Sequence, residues 1–319
     1  MGVYTHWTDG YLLEAAYGTS LIAAAGTQTN SIGVLSEDAI HPSPKSEVIY
    51  ADPGGSTKEA AAGAHWKGPE ELRGAYTIVL QNGILLYLAI GSSSSAASVH
   101  TITPTVASAM PSISIQHDLT GTAADWGTQF AGVKALNLEL NCTEQDQYLW
   151  ANVDWVAQSA TNIGFISTNT PVLPPTATAT PYLFSSLTAT FDGNSFKDGL
   201  TDLQVSISPN LKVWRDGTRT IPEPLDGPRM KYILKFKYTP PDSTFWDEAA
   251  ATTTTGDVVL KWTKSANDYI QITFSDCPVT HYEQKSPTVG KPLIEDVMLE
   301  PRAISVAVKD AIAASYYGK

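Results

Sequence analysis

Six histidines, His6, His41, His65, His100, His117 and His281, are the residues best suited to hold a metal ion or carry a proton. None stands four residues from another, and no two flank a carboxylate at a zinc-ligand spacing. They read as surface or satisfied core side chains. Adjacent acids occur at Glu70-Glu71, Asp247-Glu248 and Glu295-Asp296. Such neighbours usually mark solvated helix starts or loops, whereas the paired carboxylates of glycoside hydrolysis come from different strands. Asp192-Gly193-Asn194 opens like a calcium loop, but Lys197 stands where that loop needs its glycine and no acid closes it. A β-turn fits better. The sequence has no nucleophile elbow, dinucleotide fingerprint or phosphate loop. Cys142 and Cys277 are too few for a Cys-rich metal site or a disulfide framework; they can pair or serve as small buried hydrophobes. Catalysis, a cofactor and a bound metal are not expected.

What remains is recognition by rows of polar side chains, and strands must set those rows. Residues 134–142 put Leu136, Leu138, Leu140 and Cys142 on one face and Ala135, Asn137, Glu139 and Asn141 on the other. Residues 148–158 repeat the pattern, with Leu149, Ala151, Val153 and Trp155 against Trp150, Asn152 and Asp154. A period of two predicts two half-buried antiparallel strands, joined through Thr143-Glu144-Gln145-Asp146. Leu203, Val205 and Ile207 alternate with Asp202, Gln204, Ser206 and Ser208. In residues 230–238, Met230, Tyr232, Leu234, Phe236 and Tyr238 oppose Lys231, Ile233, Lys235 and Lys237. Three lysines without a companion basic cluster make a thin nucleic-acid site. The row reads as a solvated strand face or as a contact with an acidic face of a neighbouring subunit.

The other elements follow from local signals. Residues 74–81 (GAYTIVLQ) predict a strand. Residues 82–91 (NGILLYLAIG) predict a short helix that Asn82 can cap and Gly91 can end. Gly91 and the four serines after it read as a flexible connector. Leu187, Ala189 and Phe191 lead into the Asp192-Gly193-Asn194 turn. A second helix is expected from Phe245 to Ala251, with Thr244 as its cap, and residues 258–264 and 269–276 make another strand pair. The fold class is mainly β, a β-sandwich or barrel-like domain with one or two short helices and long extended arms.

Composition narrows the field. Of 319 residues 16% are charged, well below the usual ~25%, so the surface is neutral or covered by partners. The net charge of −12 opposes a grip on DNA phosphates, though not contact without adhesion. Residues 1–180 hold 15 of the 32 acids and 5 of the 20 bases, so most of the acidity lies there. The longest apolar run, 84–90, falls far short of the ~18–20 residues of a membrane span, and the first residues lack a secretory pattern. Residues 1–68 read as an irregular arm that orders on another subunit. Residues 69–285 form the β-domain, with two loosely similar halves (about 69–167 and 182–285) joined by a Pro/Thr stretch at 168–181; residues 286–319 form a C-terminal segment.

Several stretches share a pattern in order. Residues 11–20 (YLLEAAYGTS) set an acid before an aromatic-Gly-Thr turn, and residues 74–91 feed a strand into an apolar helix ending in glycine. Residues 110–115 (MPSISI) are followed by Gly132-Val133-Lys134-Ala135-Leu136. Residues 182–211 (YLFSSLTATFDGNSFKDGLTDLQVSISPNL) form a hairpin pattern closed by Asn210-Leu211. In this order they resemble the tail tube (major tail) proteins of long-tailed, non-contractile phages. The Pro/Thr stretch and the doubling of halves depart from the family pattern and put the stoichiometry in doubt.

The resemblance implies a virion structural protein, made in the host cytoplasm, whose subunits close into hexameric or pseudo-hexameric trimeric rings. Stacked rings form a tube that meets tape-measure, tail-terminator and tail-tip proteins, with the arm and the C-terminal segment between rings. Duplex DNA would pass through without specific binding, and no membrane is involved. About 24 strands spaced ~4.8 Å and tilted ~40° give a circumference of about 150 Å and an opening of about 40 Å, against about 20 Å for DNA. A lumen of acids and amides repels phosphate. By alternation, Asn137, Glu139, Asn141, Asn152, Asp154, Asp202, Gln204 and Ser206 are its candidates. Lys231, Lys235 and Lys237 are then expected away from the lumen, at contacts between subunits. Two other readings stay open: a non-catalytic β-sandwich module for polysaccharide, motivated by the linker and eight tryptophans, and another virion β protein such as a capsid decoration protein.

Overall fold

The computed structural model describes residues 4–19, 30–31, 48–50, 65–67, 72–96, 98–121, 126–162, 180–214, 221–240, 244–250, 255–285, 293–310, 312 and 317. Its strands begin with β1 (Tyr4–Leu13), β2 (Asn30–Ser31), β3 (Val48–Tyr50), β4 (His65–Lys67), β5 (Arg73–Val79), β6 (Gly91–Ala96) and β7 (Val99–Pro104). They continue with β8 (Ile113–Gly121), β9 (Trp126–Thr143), β10 (Leu149–Val156), β11 (Ser159–Asn162), β12 (Leu187–Phe191), β13 (Asn194–Ser195) and β14 (Leu200–Ser208). The last are β15 (Lys231–Tyr238), β16 (Gly256–Ser265), β17 (Asp268–Cys277), β18 (Val279–Lys285), β19 (Ile294–Leu299) and β20 (Ala303–Lys309). Among the described residues the α-helices are α1 (Ile84–Ile90) and α2 (Thr244–Ala250). The chain is mainly β, with two large antiparallel sheets, consistent with a β-sandwich-like class.

The larger sheet is organised by β9. Its first part pairs with β11 on one side and with β8, β1 and β2 in succession on the other. Its second part lies between β10 and β14, and there the order runs β5-β10-β9-β14-β15-β19-β18. Between the two parts Gly132 has φ +65°, a left-handed conformation that favours glycine. A β-bulge follows: Asp154 faces Asn137 but Trp155 faces Ala135, leaving Leu136 as the extra residue. The strict alternation expected there breaks at this point, so Ala135 is buried and Leu136 only half-buried. The second sheet runs β13-β12-β16-β17-β20-β7-β6.

One core lies between the sheets. Leu138, Leu140, Val205, Leu234 and Phe236 come from the first, and Leu260, Trp262, Ile272, Phe274 and Val306 from the second. Each such side chain contributes about 1.5–3 kcal/mol by leaving water. Phe245 of α2 sits among Phe191, Phe196, Phe236 and Tyr238, with ring centres 5.0–5.6 Å away. Asn82 accepts the Ile84 N–H at 3.1 Å at the start of α1, and Gly91 ends the helix at φ +119°. Cys142 and Cys277 are free, buried thiols; burial pushes the first up to about 11 and the second up to about 12.

Two expectations are corrected. Residues 4–13, read as part of an irregular arm, form β1, paired with β8 from Tyr4↔Gly121 to Leu13↔Ile113. Their own pattern is mixed, and the ladder comes from the partner strand. Residues 91–95, read as a flexible connector, belong to β6, the edge of a hairpin with β7. An edge strand with an exposed face has little to bury, so serine can occupy it despite a weak strand preference. Most of residues 20–71, the Pro/Thr stretch through 179, and residues 286–292 lie outside the described residues.

The two halves on either side of the Pro/Thr stretch share both sheets. Cys142 pairs with Leu203 across the β9–β14 ladder, and β20 lies between β17 and β7. A single cut at a protease site inserted between residues 170 and 178 should therefore leave both fragments in one gel-filtration peak until denaturant is added. Separate elution in native buffer would contradict the shared sheets.

Candidate functional site

Alternation along the seven-strand part of the larger sheet turns one face to the core and the other outward. On the outward face Asn152 opposes Glu139, Asp154 opposes Asn137, Gln204 opposes Asn141 and Ser206 opposes Glu139. The structure thus brings all eight lumen candidates onto one surface, with Asp202 opposite Thr143 at its end. Glu139 Oε1 accepts hydrogen bonds from Asn141 Nδ2 at 3.1 Å and from Gln204 Nε2. Ser206 donates to Asn137 Oδ1 at 3.4 Å.

The lysine row lies on this same face, contrary to the expectation that it lies elsewhere. β15 follows β14 directly, and the register sets Lys237 opposite Asp202 and Lys235 opposite Gln204. Sequence alternation tells which residues of one strand share a face; only the register between strands tells whether two rows share it. The charges are largely matched. Lys237 Nζ is 2.7 Å from Asp202 Oδ2 and Lys231 Nζ 3.7 Å from Glu300 Oε1, while Lys285 pairs with Asp296. These pairs are solvent-exposed and screened, so they add little to stability. Lys235 has no carboxylate partner among the described residues. It lines a hollow of about 520 Å³ with Asn141, Gln204, His281, Asp296 and Met298. The surface is wettable and close to neutral.

Both ends of this seven-strand order are open among the described residues. β5 pairs only with β10, and β18 only with β19. Beside β18, Trp246 of α2 is 54% exposed and packs edge-on against Tyr282, ring centres 5.6 Å apart. Trp246, Ala249, Ala250, Val279, His281 and Tyr282 line a hollow of about 320 Å³ along that edge.

Three of the segments singled out in the sequence meet at a buried carboxylate. Glu14, 2% exposed, accepts hydrogen bonds from Gly132 N–H at 2.9 Å, Gly18 N–H at 2.9 Å and the Ser114 hydroxyl at 2.7 Å. Lys134, equally buried, donates to Ala107 O and pairs with Glu223, each at 2.6 Å, and its ammonium lies 5.3 Å from the centre of the Tyr17 ring. Burial, with the Glu223 and Glu14 carboxylates nearby, pushes the Tyr17 hydroxyl above its ordinary value. The acid and the aromatic-Gly turn of residues 11–20 therefore fix the bend of β9.

A second polar cluster was not anticipated. Ser95 and His100 face each other on the β6–β7 hairpin, with Asp310 and Tyr317 behind the imidazole. Burial pushes the Asp310 carboxyl up, opposed by the Tyr317 hydroxyl and His100. Its only signal in sequence is a serine five residues before a histidine, which means something once residues 91–104 are a hairpin. Among the described residues no three histidines, cysteines or acids are grouped to hold a metal ion. The sequence matches no known family model, and no curated protein matches it.

Proposed function

We propose that the chain is a structural protein that assembles into closed rings and, by stacking them, a tube of the kind formed by phage tail tube proteins. The observation that carries this reading is a polar-faced sheet of seven strands with a seven-residue strand at each end, β5 and β18, open among the described residues. When β18 of one copy pairs with β5 of the next, the contact is head-to-tail, and a closed ring uses up both of these edges. Three copies supply 21 strands, which at ~4.8 Å spacing and ~40° tilt give a ring about 130 Å around and about 42 Å across. With inward side chains subtracted the opening is about 33 Å, wide enough for duplex DNA. The three-copy ring comes close to the 24-strand tube that the family resemblance implies.

In this reading the outward face of the sheet lines the opening, lysines included. Carboxylates match all of them but Lys235, and the lumen candidates left over are Asn, Gln and Ser with the acids Glu139 and Asp154, a surface over which phosphate slides without being held. Electron microscopy of the purified chain over a concentration and salt series tests it. The expected images are rings or hollow tubes with an opening of about 30–40 Å. Monomers under every condition would sink the reading.

A further inference from the structure

We propose that Ser95 is a nucleophile activated by His100, and that the rim of the β6–β7 hairpin cleaves small carboxylic esters. This activity is independent of assembly. Pro104 has no N–H, so Gly91↔Pro104 cannot be a hydrogen-bonded pair, and alternation along the β6–β7 ladder makes Ser95↔His100 a non-hydrogen-bonded pair as well. Side chains approach most closely in such pairs, and Ser95 Oγ lies 2.7 Å from His100 Nδ1. Residues in such pairs also turn their own N–H away from the partner strand. β6 has no further neighbour among the described residues, so the Ser95 N–H points into the open edge.

The other ring nitrogen fixes the tautomer. His100 Nε2 is 3.1 Å from Ile312 O and 3.5 Å from Asp310 Oδ1. Both are acceptors, which assigns the imidazole proton to Nε2 and leaves the Nδ1 lone pair for the Ser95 hydroxyl proton. Tyr317 stacks on the imidazole at 4.2 Å and donates its hydroxyl to Asp310. His100 and Asp310 are buried, while Ser95 is exposed. This is the nucleophile, base and orienting acid of serine hydrolases with the two ring nitrogens exchanged.

Ser95 Oγ attacks the ester carbonyl as its proton passes to Nδ1, and the Ser95 N–H faces the oxyanion that forms. The C–O bond to the alcohol breaks and the alcohol leaves with the proton from Nδ1. Water then adds to the acyl-serine by the same route, releasing the acid. Ser95 is exposed at the rim, so small activated esters can reach it.

The full-length protein is treated with a fluorophosphonate–rhodamine probe, the adduct is mapped by mass spectrometry, and p-nitrophenyl acetate hydrolysis is followed in parallel. One adduct, on Ser95, is expected, with labelling and hydrolysis falling about 100-fold in His100→Gln. Ser95→Ala should lose both and keep the wild-type melting temperature, which separates lost chemistry from lost fold. Asp310→Asn, a positioning change, should move the pH of half-maximal labelling. Wild-type labelling no greater than that of Ser95→Ala, or adducts only at other residues, overturns the proposal.

Discussion

Replacing Glu14 by alanine lowers the unfolding free energy by about 4 kcal/mol, because a buried carboxyl group that accepts three hydrogen bonds is removed and two of its donors, at Gly132 and Ser114, stay buried. Gly132 N–H, Gly18 N–H and the Ser114 hydroxyl all donate to Glu14, and no second acceptor for them occurs among the described residues. Glu14→Gln keeps one acceptor oxygen and the volume, so its cost should be smaller, about 1–2 kcal/mol. Urea unfolding of the two variants and wild type checks the order. A loss of less than 1 kcal/mol in Glu14→Ala would show that the bend of β9 stands without the carboxylate. The effect should reach assembly too, since β9 carries both parts of the larger sheet.

Trp246→Ala is expected to leave the isolated chain nearly as stable as wild type and to raise the concentration needed for assembly about thirty-fold per joint. The side chain is half-exposed in the single copy, so little packing is lost there. At a joint between β18 and a neighbouring copy it becomes a central aromatic, the kind of residue whose truncation costs about 2 kcal/mol or more. Sedimentation velocity over a dilution series, alongside thermal melts, reads both quantities. Unchanged assembly with an unchanged melt would place the joint away from β18. A lowered melt would instead mean that the hollow beside Tyr282 matters within one subunit.

The parts of the fold legible in the sequence are those set by local chemistry. The β9–β10 pair follows from alternation, the β12–β13 turn from Asp192-Gly193, both at positive φ, and α1 from Asn82 and Gly91. The parts that were not legible depend on partners distant in sequence. β1 is held by β8 about a hundred residues away, and β6 is a strand because β7 gives it a ladder. For the candidate surface, each polar row could be read on its own strand, but that Lys235 and Gln204 are opposite one another could not. The bulge at Leu136 shows the limit most plainly: one extra residue reverses the faces of everything before it. Ser95 and His100 were hidden by the same cause, a strand made mostly of serine.

The interleaving of the sheets also governs how the chain can be made. β19 lies between β15 and β18, and β20 between β17 and β7, so the last ordered strands enter the middle of sheets begun some two hundred residues earlier. A nascent chain, extended at about 5–20 residues per second, cannot complete the larger sheet before β19 or the second sheet before β20 has been synthesised. Such non-local pairing makes folding slow. Until then β15 and β7 expose unpaired edges, and truncated chains should accumulate as sticky intermediates rather than as smaller folded proteins. The arrival of β19 and β20 thus acts as a timer: a chain that has not reached them leaves β15 and β7 without their partners.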